Sequence, residues 1–480
     1  MKKTIASLVL FFSFISFSQS VDTNFQLGIN GFNSTSEIRK TIIQPDGKIL
    51  ILGNYLNYNG LGNFGKLMRL NSNGTFDAIF MNNLGTGFDR ADHIELLPDG
   101  KILVSESSEC IPYLNGAAVH HLVRLNPDGT IDNTFNLNFT GTNYQNTYKN
   151  QTFHPNGKIY VIHKTNKLIR LNSNGTTDTS FAPRTIDHIG SFPNFPNVFF
   201  IKIDPNGKLL IGGQINTYDN NTTNNLIRIN EDGTLDNTFN LPFSCSGNNQ
   251  YVYSLDFIEN SKILVTARIP SSSGTVIGTV LRLNSDWSID NTFNYFEASS
   301  TKFLLRTVVQ PDNKILVSGY NTSTTNGNTC YFKRLNSDGS YSDFNVSGVF
   351  SLNNTNNSNV DTYISEMFYL ADGKILVTGN FNYCQGQQKR KIVRLNNQTL
   401  SIDEFDKVNI RSYPNPVNDI LKFECKEKIL KIEVYDYEGR ILSSNSISEN
   451  KINLSDLKTG NYILKLYTEK GIMNTKIIKE

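Results

Sequence analysis

The chain has 480 residues, with 45 lysines and arginines against 43 aspartates and glutamates, 6 histidines and 5 cysteines, for a formal net charge of +2. So balanced a chain offers no electrostatic case for nucleic acid or an anionic membrane as partner. The odd cysteine count, without any C-x-x-C spacing, argues against zinc; in an exported chain it leaves at least one thiol unpaired unless it bonds another molecule.

Residues 1–20 read as a secretory signal: Lys2-Lys3, an apolar Ile5–Phe17 run, then the small and polar Ser18-Gln19-Ser20. The apolar run is too short to span a bilayer, and no later segment reaches that length, so no transmembrane segment is expected.

Residues 21–405 say one phrase seven times: a P-D-G-K turn, an apolar run, a variable stretch, then R-L-N-x-D-G-x-x-D. The clearest copy runs Pro98-Asp99-Gly100-Lys101-Ile102-Leu103-Val104 and resumes at Arg124-Leu125-Asn126-Pro127-Asp128-Gly129. Its lysine recurs as Lys48, Lys101, Lys158, Lys208, Lys262, Lys314 and Lys374. Its arginine recurs as Arg69, Arg124, Arg170, Arg228, Arg282, Arg334 and Arg394. The period is about 54 residues, the range of repeat architectures.

Both constant parts predict tight hairpins, with a left-handed residue closing each three-residue loop. If Asn71 and Thr75 flank the loop, Arg69 faces Asp77 directly across the hairpin, in reach of a cross-strand ion pair. The same offset pairs Arg124 with Asp132, Arg170 with Asp178, Arg228 with Asp236 and Arg282 with Asp290. One active site does not need five copies of its charges, so these pairs are expected to be structural. Copies six and seven break the pattern, with Ser342 in place of the aspartate and Asp403 one residue late.

The apolar runs Ile49–Leu52, Ile102–Val104 and Ile315–Val317 are continuous rather than alternating, as in strands buried on both faces. Each unit then offers four strands, and four-stranded units at this period make a β-propeller. The expected fold is all-β: a seven-bladed β-propeller over 21–405, a linker over 406–411, and a small Ig-like β-sandwich over 412–480. The stretch Val21-Asp22-Thr23-Asn24-Phe25 matches the tail of the repeat without its front half. It predicts that the N-terminus completes the last blade, whose own tail, 399–405, is irregular.

The last 70 residues alternate apolar and polar between turns at Glu438-Gly439, Thr459-Gly460 and Lys470-Gly471, the pattern of an antiparallel sandwich. Tyr413-Pro414-Asn415-Pro416, Val434-Tyr435-Asp436, Gly439-Arg440, Gly460-Asn461-Tyr462 and Lys476-Ile477-Ile478-Lys479 resemble the C-terminal sorting domain of the type IX (Por) secretion system. The resemblance implies a Gram-negative cell, export through that machinery by way of residues 412–480, and a protein released or attached at the outer-membrane surface. Pro414, Asn415, Pro416, Gly439, Arg440, Gly460 and Tyr462 carry the sorting motif. The sevenfold phrase resembles the delta-60 repeat of bacterial secreted and surface proteins, which implies a propeller and no particular activity.

No cofactor and no metal are expected. His120 and His121 are adjacent and would point to opposite faces of a strand, and no segment has the spacing of a calcium loop. No serine-hydrolase, zinc-protease or phosphate-loop motif occurs. In an up-and-down blade both constant turns emerge on one face and the variable connections on the other, where loops tend to carry function. Tyr55, Tyr58, Tyr113, Tyr218 and Tyr383 lie in those connections and are the candidate contacts to a glycan or protein ligand. Asp92, Glu95, Asp256, Asp361 and Glu366 are candidates to converge near the axis. The expected function is a secreted or cell-surface, non-catalytic binding or adhesion propeller. The alternatives are a carbohydrate-active enzyme (lyase or glycosidase) and a structural surface-layer component.

Overall fold

A computed structural model describes residues 19–25, 31–54, 56–60, 65–106, 113–137, 148–163, 165–187, 197–245, 247, 249–271, 273–293, 296–297, 299–322, 329–345, 350–351, 362–397, 411–424, 428–436, 441–446, 450–468 and 471–480. The expected signal up to residue 18, Tyr55, Asp361, the tail 399–405, Gly439 and Arg440 lie outside them. The chain divides into two compact units, 1–397 and 398–480.

In the first unit the apolar run after each P-D-G-K turn forms the middle strand of an antiparallel sheet. In blade one Glu37–Ile43 is the inner strand, Ile49–Asn54 the middle and Leu67–Leu70 the third. The inner strands of the other blades are His93–Leu96, Tyr148–Phe153, Asn197–Ile203, Tyr251–Ile258, Lys302–Val309 and Tyr363–Tyr369. Middle strands such as Ile102–Ser105 and Leu209–Gln214 are buried throughout, since blades cover both faces and leave no room for the polar alternation of a half-exposed strand. Each inner strand packs on those of its two neighbours, and the first packs on the seventh, so the ring closes. This unit is an all-β propeller.

Gln19–Val21 pairs antiparallel with Ile392–Asn397, setting Val21 opposite Leu395, so the start of the chain supplies the outermost strand of blade seven. The expected four-stranded blades need a correction, however. In blades one, two and four the D-x-T-F segment makes only a single bridge to the third strand, as Leu125 does to Ile131. Asp132 Oδ1 accepts from the Thr134 N–H at 3.0 Å and from its hydroxyl at 2.6 Å, which turns the chain at the aspartate; Asp178 and Asp290 make the same turn, and there a fourth strand pairs only after it. In blade one Asp77 instead caps a short helix, Ala78–Leu84. Blades three, five and six do carry a fourth strand, Arg184–Asp187, Phe296–Glu297 and Tyr341–Asn345.

The same aspartates hold a three-part clasp. Arg69 Nε lies 2.8 Å from Asp77 Oδ2, and the four pairs from Arg124–Asp132 to Arg282–Asp290 close at 2.7 Å. The repeat lysine joins each one, with Lys101 Nζ 2.8 Å from Asp132 Oδ2 and Lys208 Nζ 2.6 Å from Asp236 Oδ2. The guanidinium then reaches the next blade: Arg124 Nη1 donates to Ser173 O at 2.5 Å and Arg170 Nη1 to Glu231 O at 2.6 Å. Blade seven borrows Asp22 from the N-terminal strand, 2.7 Å from Arg394 Nε and 2.8 Å from Lys374 Nζ. In blade six Ser342 accepts weakly from Arg334 Nε at 3.4 Å.

In blades one to four and seven a phenylalanine beside the clasp lies on the turn of the following blade. A Cβ on Gly175, whose φ is +90°, would sit 3.0 Å from the Phe135 ring. Blade five puts Trp287 there at φ 70°, its indole edge-on to Phe239 at 4.7 Å. The strain of a non-glycine residue in the left-handed region is set against a large buried aromatic contact.

The second unit is a sandwich of a three-stranded sheet (Arg411–Tyr413, Ile420–Glu424, Lys451–Asn453) and a four-stranded one (Ile429–Tyr435, Ile441–Ser446, Gly460–Thr468, Gly471–Lys479). Val417, Leu421, Ile432, Val434, Leu464 and Leu466 fill the core between them.

Candidate functional site

The inner strands enclose a cavity of about 470 Å³ lined by residues from all seven blades, within the size range of small-ligand pockets. Two tiers of side chains line it. The upper tier is the residue eight positions before each repeat lysine: Lys40, His93, Asn150, Phe200, Ser254, Arg306 and Glu366. Two residues on come Glu95, Thr152, Lys202, Asp256, Val308 and Phe368. The scaffold repeats and these positions do not.

A local irregularity presents the upper tier. In six blades the inner strand slips register beside that residue, between Ile38 and Lys40, Leu304 and Arg306, and Ile364 and Glu366 among others. Such bulges re-aim side chains. In four blades a glycine five residues after the repeat lysine makes room. A Cβ on Gly53 would lie 2.0 Å from Glu37 O, and one on Gly319 1.9 Å from Phe303 O. This glycine and the residue across from it are a sequence signal that a search for catalytic motifs passes over.

The wall is charged on one side and unpaired on the other. Lys202 Nζ donates to Asp256 Oδ1 at 2.6 Å, and Arg306 grips Glu366 with Nε and Nη2 at 3.0 and 3.2 Å. Burial would raise the Glu366 carboxyl, but Arg306 and Lys40 hold it below its usual range. Glu95 lacks such a partner: burial pushes its carboxyl up to about 7, against the pull of Lys40 and Lys202 and hydrogen bonds from Phe153 N and the Thr152 hydroxyl. Burial and Lys40 together drive the His93 imidazole well below its ordinary value, so it is neutral at pH 7. Among the described residues Lys40 has no ion pair.

Of the carboxylates expected near the axis, Glu95, Asp256 and Glu366 line the cavity. Asp92 does not; it pairs with Arg39 at 2.9 Å instead. Lys40, His93, Arg306 and Lys202 carry the site equally and were not anticipated. Two tyrosines expected on exposed loops must be corrected. Tyr58 and Tyr218 are buried, because their hydroxyls reach inward to the carbonyls of Gly74 and Gly233 and their rings fill the blade ends. Tyr113 is 42% exposed and Tyr383 half-buried. His121 is buried with Nδ1 2.6 Å from Glu106, while His120 is exposed. Cys245, Cys330 and Cys384 are free thiols. Among the described residues no group of three His, Cys, Asp or Glu is placed to hold a metal.

In the sandwich, Asn415 of the Pro-Asn-Pro run ties down the terminal strand, donating to Lys476 O at 3.1 Å and accepting from Ile478 N at 2.8 Å. The Tyr462 hydroxyl donates to Lys458 O at 2.7 Å beside Gly460.

Residues 44–80, 97–135, 154–181, 205–239, 261–293, 310–340 and 370–404 match the family described as Domain of unknown function (DUF5122) beta-propeller. Residues 411–480 match the Secretion system C-terminal sorting domain. No curated protein matches the chain. Among solved structures it is similar to PorZ of Porphyromonas gingivalis, a surface component of the type-IX secretion system, at 13% identity over 92% of this chain and 59% of that one, TM-score 0.38. It is also similar to the extracellular domain of a hybrid two component system from B. thetaiotaomicron, at 13% identity over 93% of this chain and 57% of that one, TM-score 0.42. A third likeness is BamB from Moraxella catarrhalis, at 13% identity over 93% and 99% of the two chains, TM-score 0.32. The chain thus spans less than two thirds of the length of the first two. Seven matched repeats in a closed ring of blades, followed by a matched terminal sandwich, make this chain a β-propeller repeat protein with a secretion-system C-terminal sorting domain.

Proposed function

We propose that the protein is a non-catalytic binding propeller, displayed at the cell surface or released, which holds its ligand in the axial cavity. The sorting domain supports export through the type IX system, with residues 412–480 as the part the machinery reads. One observation carries the binding reading: the register position that lines the axis differs in every blade, as Lys, His, Asn, Phe, Ser, Arg and Glu, inside a repeat that is otherwise constant. Identical scaffolding with a varied lining is what a recognition site on a rigid frame requires.

The enzyme reading has less support. Glycoside chemistry needs a free carboxylate opposite a protonated one, and Asp256 and Glu366 are both committed to ion pairs. Tyr113 and Tyr383 would add contacts on the connections from second to third strand in blades two and seven. The test is a glycan array probed with the purified chain and assayed for retention and for new reducing ends. Retention without cleavage is expected; cleavage would establish the enzyme, and neither result would favour a structural surface component. Deleting residues 412–480 is expected to leave the propeller in the periplasm of its native host, and normal surface display of the truncated chain would sink the sorting role.

A further inference from the structure

The two halves of the cavity wall differ in what they leave unfinished. Blades four to seven neutralise themselves through Lys202–Asp256 and Arg306–Glu366. Blades one to three do not. Lys40 has no ion pair or hydrogen bond among the described residues, and two polar atoms of the lining, His93 Nδ1 and Asn150 Oδ1, have no partner there. The Asn150 amide nitrogen is already spent on Val198 O at 3.2 Å. A buried polar group without a partner is costly and calls for an explanation.

We propose that blades one to three bind a hexuronate unit of an acidic glycan, its carboxylate on Lys40 and its hydroxyls on His93 and Asn150. This rests on the axial-cavity reading above. The charge argument is direct: Asp256 and Glu366 are engaged by Lys202 and Arg306, and Lys40 is the cation of the wall left without an ion pair among the described residues. Lys40 therefore attracts an anion, and a cation would be repelled. The orphan atoms narrow the class further. An asparagine Oδ1 only accepts, so the ligand must also donate, which a bare carboxylate or phosphate ester oxygen cannot do and a hydroxyl can. The lining continues with the polar Thr152 and Ser254. It is flanked by the stacked rings of Phe199 and Tyr253, whose centroids are 5.1 Å apart, and these offer an apolar surface to the C–H face of a sugar.

The experiment is titration calorimetry of the full chain with a galacturonate oligomer, the same oligomer methyl-esterified, and an oligo-aspartate peptide. It is repeated on Lys40→Met and on Phe199→Ala, which alters the wall without touching its charge. The acid oligomer is expected to bind at least ~10-fold more tightly than its ester, the worth of one charge-assisted contact. Lys40→Met is expected to abolish that preference, and Phe199→Ala to weaken both sugars. Equal binding of acid and ester, or a preference that survives Lys40→Met, overturns the uronate while leaving the cavity as the binding site. Tighter binding of the peptide overturns the sugar assignment in favour of an acidic protein. Absence of binding, or binding indifferent to Phe199→Ala, overturns the axial-cavity reading itself. Melting temperatures of both variants matching the parent make each loss a loss of recognition.

Discussion

The outer clasp and the axial cavity are built from the same repeat and obey opposite rules. At the clasp, arginine, lysine and aspartate meet at nearly one geometry in every blade but the sixth, where Ser342 replaces the aspartate. At the axis, a single register position holds seven different side chains. The clasp is where a repeat must be faithful, because one buried charge without its partner destabilises the whole ring. The axis meets no such demand, since each blade contributes only a wedge of wall there.

The clasp side of that contrast breaks most severely at Asp22. Asp22→Ala removes the one carboxylate shared by Arg394 and Lys374 and leaves two cations at the seam, an expected loss of about 3–5 kcal/mol read by denaturant unfolding. Asp132→Ala is expected to cost about 3 kcal/mol and to leave ligand affinity unchanged. Lost binding at an unchanged melting temperature would mean that the clasp is not merely structural. Burial would raise the Asp132 carboxyl, but hydrogen bonds from Lys101, Thr134 and Arg124 hold it far below its usual range. Its folded value lies below its unfolded one, so its contribution is present above about pH 4 and lost as the pH falls.

The axial side has the opposite sign. Glu95 titrates near 7 in the fold against 4.5 in the open chain, so its contribution is full below 4.5 and lost as the pH rises through 7. Glu95→Gln is expected to stabilise the protein by about 1–2 kcal/mol at pH 8, discounted for the solvent in the cavity, and to change nothing at pH 4. A stability gain at both values would remove the electrostatic account. The smallest effect is a repair: Ser342→Asp restores a carboxylate opposite Arg334 and is expected to add about 0.5–1 kcal/mol.

The parts of this structure legible in the sequence are those said more than once. The turn register that sets Arg69 across from Asp77, and the headless tail at Val21–Phe25, follow from counting positions. The fourth strands misled, because Asp132-Asn133-Thr134 reads equally as a strand and as a turn in which the carboxylate takes the backbone N–H two residues on. Tyr58 and Tyr218 misled for a related reason. A loop tyrosine looks exposed until its hydroxyl finds a carbonyl, here Gly74 and Gly233, and lets the ring go inside. At the axis, a search for paired carboxylates found Glu95, Asp256 and Glu366 but passed over Lys40, His93 and Arg306. Counting back eight residues from each repeat lysine would have found all of the upper tier, since the strand pairing and its bulge are themselves periodic.

The seam in blade seven also governs the order of events in time. Arg124 meets an aspartate 8 positions away, so that clasp can form as soon as its own hairpin exists. Arg394 must wait for a partner 372 positions away, at the other end of the ring. The entropy of closing so long a loop grows only slowly with length, so the delay is one of chain order and not of strength. Weakening the seam, as in Asp22→Ala, is therefore expected to speed unfolding more than it slows folding, a split that chevron kinetics reads.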